Sequence, residues 1–448
     1  MDDIKEVKTV AVIGAGLVGS LAALAFAKRG YQVTVFEQRG DPRLAKNKNL
    51  RSINLAVSDR GVNALRNVDF KLCDSILQHV IPMKGRMIHH VEGELESQRY
   101  DLDNQCINSI DRGYLNDLLL NELDNHELIK VEFGRKLENL NLSGQPTLTF
   151  ANLDIKSFDI VIGADGVFSA VRHLLQKYIR MDFTQEYIDS TYLELRIPPG
   201  EDGDFQIDAN HLHIWPRHKF MLIALPNLDG SFTSTLFAPW DVMDTLHSDE
   251  KILEFFNENF PDAVDLITEK ELLYAFHMHP RGKLLSVTCN KYNHTGKCLI
   301  IGDASHGMVP FYGQGMNCGF EDVDVLMALL DKHEDDVEKA FNEYTETRHK
   351  DLVAIVDLAK ENYKEMRHKV TSKLFVLRKR VDFILTYYLR EKWIPLYTMV
   401  SFRSDIPYSE AVARVEFQNK ILLGIEGLIV GTGVFIGVKF LKWLGRKF

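Results

Sequence analysis

Gly14, Gly16 and Gly19, followed by an acid at Glu37, are the first residues whose types and spacing could do chemistry. In G-x-G-x-x-G the first glycine permits a tight turn and the second lets the backbone approach a pyrophosphate. The third lets a helix pack closely on a strand. Glu37, 21 residues beyond Gly16, suits a ribose diol and would repel a 2′-phosphate. Such a site binds FAD or NAD. A second group is Gly163-Ala164-Asp165-Gly166, continued by Ser169, Val171 and Arg172. A third is Gly302-Asp303-Ala304, continued by Pro310, Gly313-Gln314-Gly315 and Asn317. A strand ending in Gly-Asp places a carboxylate where a polyol hydroxyl can be held. A glycine-rich helix start offers N–H groups to an anion or a polar ring.

These residues need particular elements to hold them. An apolar run at 9–13 enters the glycine turn, an Ala/Leu-rich stretch reaches Arg29-Gly30, and a β-run at 31–36 ends at Glu37. That is β-turn-α-β, and further apolar strands at 160–162 and 298–301 lead into the other two groups. The expected fold is α/β, a Rossmann-type FAD-binding domain made discontinuously from residues 1–75, 105–180 and 285–350. Residues 76–104 and 181–284, with β-runs at 192–197, 211–215, 220–225 and 232–237, predict an inserted antiparallel sheet forming a substrate domain. Residues 351–415 read as a helical C-terminal region.

Composition bounds the partners. The 53 basic and 63 acidic side chains leave a net charge of −10, which argues against nucleic acid. Five scattered cysteines without a C-x-x-C pair argue against a disulfide framework or structural zinc and for a reducing compartment. Adjacent His89 and His90 would point to opposite sides of a strand, so no metal site is expected. The start is acidic and polar, unlike a secretory or transit peptide. Residues 421–438 are apolar except for Glu426, and Lys439, Lys442, Arg446 and Lys447 follow. A helix of that length spans about 27 Å, which predicts a C-terminal transmembrane helix, a membrane anchor over residues 420–440. A basic run between Lys364 and Asp382 reads as a solvated face, with contact to anionic lipid as the alternative.

In their order and spacing, G-x-G-x-x-G, G-A-D-G-x-x-S-x-V-R and G-D-A…P-x-x-G-Q-G-x-N resemble the single-component FAD-dependent aromatic hydroxylases. That resemblance covers most of residues 8–330 and implies one Rossmann-type FAD domain with no separate NADPH fold. Within the family, five segments are similar to the kynurenine 3-monooxygenases. They are R-S-I-N-L-A from Arg51, I-P-M-K-G-R-M-I-H from Ile81, L-H-I-W-P-R from Leu212, F-M-L-I-A-L-P-N from Phe220 and I-P-L-Y-T-M-V from Ile394. The implied reaction uses NADPH and O2 to hydroxylate L-kynurenine to 3-hydroxy-L-kynurenine in tryptophan catabolism, through a flavin C4a-hydroperoxide. The implied location is the mitochondrial outer membrane, with the catalytic body facing the cytosol.

Carried over by motif, the resemblance implies that Arg86 pairs with the substrate carboxylate, to which Tyr100 donates. An Arg suits this because its planar fork gives two parallel charge-assisted bonds. Asn362 and Tyr397 would complete the polar end, and Phe237 and Phe311 would wall the aromatic ring. For FAD it implies the backbone of Gly14, Gly16, Val18 and Gly19 at the first turn and Glu37, Gln38 and Arg39 near the adenosine. Arg112 would lie near the pyrophosphate, Ala56, Leu137 and Ala170 along the nucleotide, Asp303 on the ribityl chain, and Met316 and Asn317 at the flavin ring. Ser305 and Tyr312 depart from the family pattern, where Ala and Phe are common. No catalytic base is assigned, because the aniline nitrogen of kynurenine already activates the ring. Two alternatives stand beside this reading. One is an FAD monooxygenase for another aromatic or lipophilic substrate, and the other is a non-catalytic carrier that keeps the flavoprotein fold.

Overall fold

The computed structural model describes residues 8–44, 54–367 and 372–425. Its first sheet is built on Thr9–Ile13, which pairs in parallel with Gln32–Glu37 on one side and Ile160–Gly163 on the other. Ile129–Phe133 extends one edge and Cys298–Ile300 the other, both in parallel. A strand with neighbours on both sides and both faces covered, one of them by the helix Leu17–Lys28, is buried almost all round, which is why it reads as TVAVI without alternation. The chain leaves Thr9–Ile13 in one direction and returns to it from the other. A crevice therefore opens beyond the carboxyl ends of Thr9–Ile13 and Ile160–Gly163, where both glycine turns sit. The helix Leu17–Lys28 begins there with Gly16 as its N-cap and no side-chain cap, so its first N–H groups face the crevice.

A seven-stranded sheet runs in the order 282–289, 183–197, 232–238, 220–226, 211–217, 85–89, 95–99. It is antiparallel except where His211–Arg217 pairs in parallel with Gly85–His89. Phe220–Pro226 and Phe232–Ala238 are almost wholly buried, because the sheet is covered on both faces. Leu222, Ala224, Leu236 and Ala238 pack on a core shared with the helices Asp249–Asn259, Pro261–Ile267 and Glu269–Met278. The intervening Ile223, Leu225 and Phe237 face the crevice. The sheet is thus a roof with its own backing.

A 31-residue helix, Val337–Arg367, runs unbroken across residue 350, where the helical region was expected to begin. Lys373–Leu389, the short helix Leu396–Phe402 and a helix over 408–425 follow. The fold expectation needs one correction. No helix among the described residues is long and apolar enough to cross a membrane. The helix over 408–425, which leads into the expected transmembrane span, carries the charged residues Arg414, Glu416 and Lys420. Residues 426–448, which hold most of the expected anchor, lie outside the described residues.

Candidate active site

One cavity of about 640 Å³ runs from the first glycine turn to the underside of the roof sheet. At one end, Gly14 has φ +105°, and a Cβ there would stand 2.4 Å from the carbonyl oxygen of Ala164. A Cβ on Gly19 would stand 2.0 Å from the Gly14 carbonyl oxygen, so this glycine packs the helix on the turn itself. A Cβ on Gly16 would meet nothing within 4 Å, because that position opens into the cavity. Glu37 is fixed at the end of its strand, accepting from Ala15 N at 3.1 Å and Arg39 N at 2.9 Å. Asp165 caps the helix Ala170–Leu175, accepting from Ala170 N at 2.7 Å and Val171 N at 3.1 Å. Burial raises its pKa, and these donors, with the Ser169 hydroxyl, oppose that shift.

Gly14, Gly16, Val18, Glu37, Gln38, Arg39, Ala56, Arg112, Leu137, Ala170, Asp303 and Met316 all line this cavity. Gly19 and Asn317 do not. The Asn317 amide nitrogen donates to Ala56 O at 2.8 Å and Gly313 O at 2.7 Å, and its oxygen accepts from Ser58 N at 2.9 Å. Asn317 thus splints two cavity-lining turns. The open glycine, the uncapped helix start and the carboxylate at the end of the second strand together fit an adenine dinucleotide. The fit extends to Asp303 at the far turn, the position expected for a ribityl hydroxyl.

The other end is a stack of tyrosines under a buried cation. The rings of Tyr100 and Tyr397 lie nearly parallel with centroids 4.9 Å apart, and Tyr312 stacks on Tyr397 at 5.7 Å. The guanidinium of Arg86 sits over Tyr397, 5.0 Å from its centroid. Arg86 Nη1 donates to Glu365 Oε1 at 3.0 Å, while its buried Nε has no hydrogen-bond partner among the described residues. Burial works against the Arg86 charge, but Glu365, with Tyr397 and Tyr100, more than offsets it, so the group stays cationic. Burial also pushes the Tyr100 hydroxyl well above its usual range, keeping it a donor.

Phe237 and Phe311 meet edge to face at 4.9 Å, and Tyr363 stacks behind Phe311 at 4.1 Å. Asn362 is set back from the cavity, and its amide nitrogen donates to the Phe311 carbonyl at 2.7 Å. It therefore fixes the aromatic wall. Glu365 was missed in the sequence. The available signal was its position three residues after Asn362, on the same helix face. Outside the cavity, His306, Cys318 and Asp322 converge within 4.8 Å. Arg348 closes that cluster, with Nε 3.0 Å from Asp322.

Residues 7–359 match the family model described as FAD binding domain. The kynurenine 3-monooxygenase of Candida albicans is 53% identical, over the full length of both chains. That of Saccharomyces cerevisiae is 51% identical, over 98% of this chain and 99% of the relative. Among solved structures, 2-methyl-3-hydroxypyridine-5-carboxylic acid oxygenase superposes with a TM-score of 0.67 at 19% identity. The match covers 82% of this chain and 94% of that one. PqsL of Pseudomonas aeruginosa, in complex with 2-aminobenzoylacetate, gives 0.65 at 18% identity, covering 81% and 97%. At such identities these two speak for the fold alone.

Proposed function

Because the chain belongs to the kynurenine 3-monooxygenase family of FAD-binding proteins, we propose that it hydroxylates L-kynurenine on the ring carbon ortho to the amine. NADPH and O2 are the co-substrates. One oxygen atom enters the ring, and the other leaves as water with the two electrons of NADPH. When bound, FAD supplies the redox chemistry, taking electrons from NADPH and activating O2. The observation that carries the reading is a buried, charged Arg86 at the end of the cavity opposite the dinucleotide turn.

This chain's own residues supply binding, orientation and dryness. Arg86 receives the α-carboxylate, with its unpartnered Nε and the Tyr100 hydroxyl as donors. Glu365, on the same fork, suits the α-ammonium of a zwitterion. Phe237 and Phe311 hold the anthraniloyl ring, and Met308, Ile223 and Leu225 leave the surrounding wall apolar. That wall keeps out water, which would divert activated oxygen to hydrogen peroxide. No side-chain base is required, because the ring amine makes the target carbon nucleophilic.

Purified protein should be yellow and should oxidise NADPH when L-kynurenine is added, giving a product heavier by one oxygen. Colourless protein would favour a non-catalytic carrier. Yellow protein indifferent to kynurenine would point to another aromatic or lipophilic substrate. For location, the family resemblance supports the mitochondrial outer membrane, cytosolic face. Protease accessibility on isolated mitochondria tests this.

A further inference from the structure

The helix Leu396–Phe402 carries Tyr397, yet it has only seven residues. So short a helix is marginal alone and takes its position from what it packs on and what caps it. Its end is held by one side chain from another part of the chain. Arg60, on the helix Asp59–Val68, is fully buried. Its Nε donates to Val400 O at 2.8 Å, and its Nη2 to Met399 O at 3.2 Å and Arg403 O at 3.1 Å, with Ile406 O also in reach. Its remaining nitrogen pairs with Glu321. Those of Met399 and Val400 are among the carbonyls that a helix end leaves without partners.

The same guanidinium lies 4.0 Å from the centroid of Tyr408, whose hydroxyl donates to Gln314 Oε1 at 3.1 Å. Gln314 is the middle residue of the Gly313-Gln314-Gly315 turn, and both glycines line the cavity. From Glu321 the charges continue to Arg348 at 2.6 Å and from there to Asp322 at 3.0 Å. Asp322 accepts the Gly302 backbone N–H at 3.0 Å, directly before Asp303. One buried chain of charges thus links the tyrosine stack at the substrate end to two turns at the dinucleotide end.

We propose that Arg60 is a positioning residue for the hydroxylation, setting Tyr397, and through Tyr408 the Gln314 turn, against the bound substrate. The proposal rests on the monooxygenase reading above. Apolar replacements of buried ion networks are often neutral or stabilising. What the cation supplies here is therefore placement. Lysine cannot reproduce it, because a single ammonium cannot spread donors over carbonyls on both sides of a turn.

The test uses full-length, FAD-loaded Arg60→Lys beside wild type. The expected result is full flavin occupancy with the KM for kynurenine raised about tenfold to a hundredfold, the scale of misplacing a site group by about 1 Å. The kcat should fall far less, and a larger share of the NADPH consumed should end as hydrogen peroxide. In a double-mutant cycle with Tyr397→Phe the KM effects should be strongly non-additive. An unchanged KM, or additive effects, would overturn the proposal. Tyr408→Leu, which removes the ring under the guanidinium, serves if Arg60→Lys does not load flavin, and it should shift KM in the same direction. Failure of both variants to hold FAD would assign the network to the fold and likewise overturn it. Wild-type protein that ignores kynurenine would instead sink the functional reading itself.

Discussion

Arg86 pairs with Glu365 through Nη1 and keeps Nε for a ligand, so a bound carboxylate shares the guanidinium with Glu365. A carboxylate arriving at Arg86 adds a second negative group beside Glu365, and only a ligand that also brings a cation relieves the repulsion. Arg86→Lys should therefore raise the KM for kynurenine by roughly 10- to 100-fold, the worth of charge-assisted hydrogen bonds, without changing FAD affinity. Steady-state kinetics beside a flavin titration checks this, and weakened FAD binding would refute the assigned role. Glu365→Gln should act in the opposite sense on a different ligand. The analogue of kynurenine lacking the α-amine should bind better to the variant, and the preference for the amine should fall about tenfold. An unchanged preference would remove Glu365 from recognition.

At the scale of elements, the two ends of the site depend on geometries that single atoms can break. Gly16 opens into the cavity, whereas Gly19 would force a Cβ into the Gly14 carbonyl. Gly16→Ala should leave the melting temperature of the apoprotein unchanged and weaken FAD binding. Gly19→Ala should lower that melting temperature. Equal effects of the two on the apoprotein would contradict this division. The strand Gly85–His89 offers Arg86 to the cavity and is locked from behind by His89. His89 reaches Asp262 at 2.7 Å and His213 at 2.8 Å, and His213 reaches the Asp208 carbonyl at 2.8 Å. Burial, reinforced by His89 and His211, lowers the His213 pKa from 6.5 to about 4. The unfolded chain thus takes up a proton near pH 6.5 that the folded protein refuses until near 4. This contribution to stability is complete above about 6.5 and is lost as pH falls towards 4, at most ~3 kcal/mol. Urea unfolding from pH 7.5 to 5 should show a shallower slope for His213→Asn, and identical slopes would rule the ring out as the cause.

At the scale of the molecule, the dinucleotide end was legible in the sequence because its signals are local. Gly14, Gly16, Gly19 and Glu37 act through the turn and strand that carry them. The substrate end was legible only in part, because its residues meet across long separations. Arg86 comes from a strand paired on both sides, Glu365 from a helix 279 positions later, and Tyr397 from a third element. The roles of Asn317 and Asn362 as splints, and of Arg60 as a cap, needed the packed structure, since the motifs that single out the two asparagines say nothing of the backbone each one binds, and Arg60 reaches a carbonyl 340 positions away. That non-local assembly makes a further prediction. A chain ending at residue 395 would lack every carbonyl that Arg60 binds from 399–406, leaving a buried cation with Glu321 alone among those partners. Stranding a buried charge in this way costs about 3–5 kcal/mol, whereas an apolar side chain of similar volume in the same place costs little. Arg60→Met should therefore recover part of the stability lost on truncation, while in the full-length chain it should be neutral or destabilising. Chemical unfolding of the four proteins gives the interaction energy directly. Additive effects would mean that Arg60 does not carry the docking of the C-terminal segment. A reversal of sign between the two backgrounds would locate that docking in the contacts between Arg60 and the end of the helix bearing Tyr397.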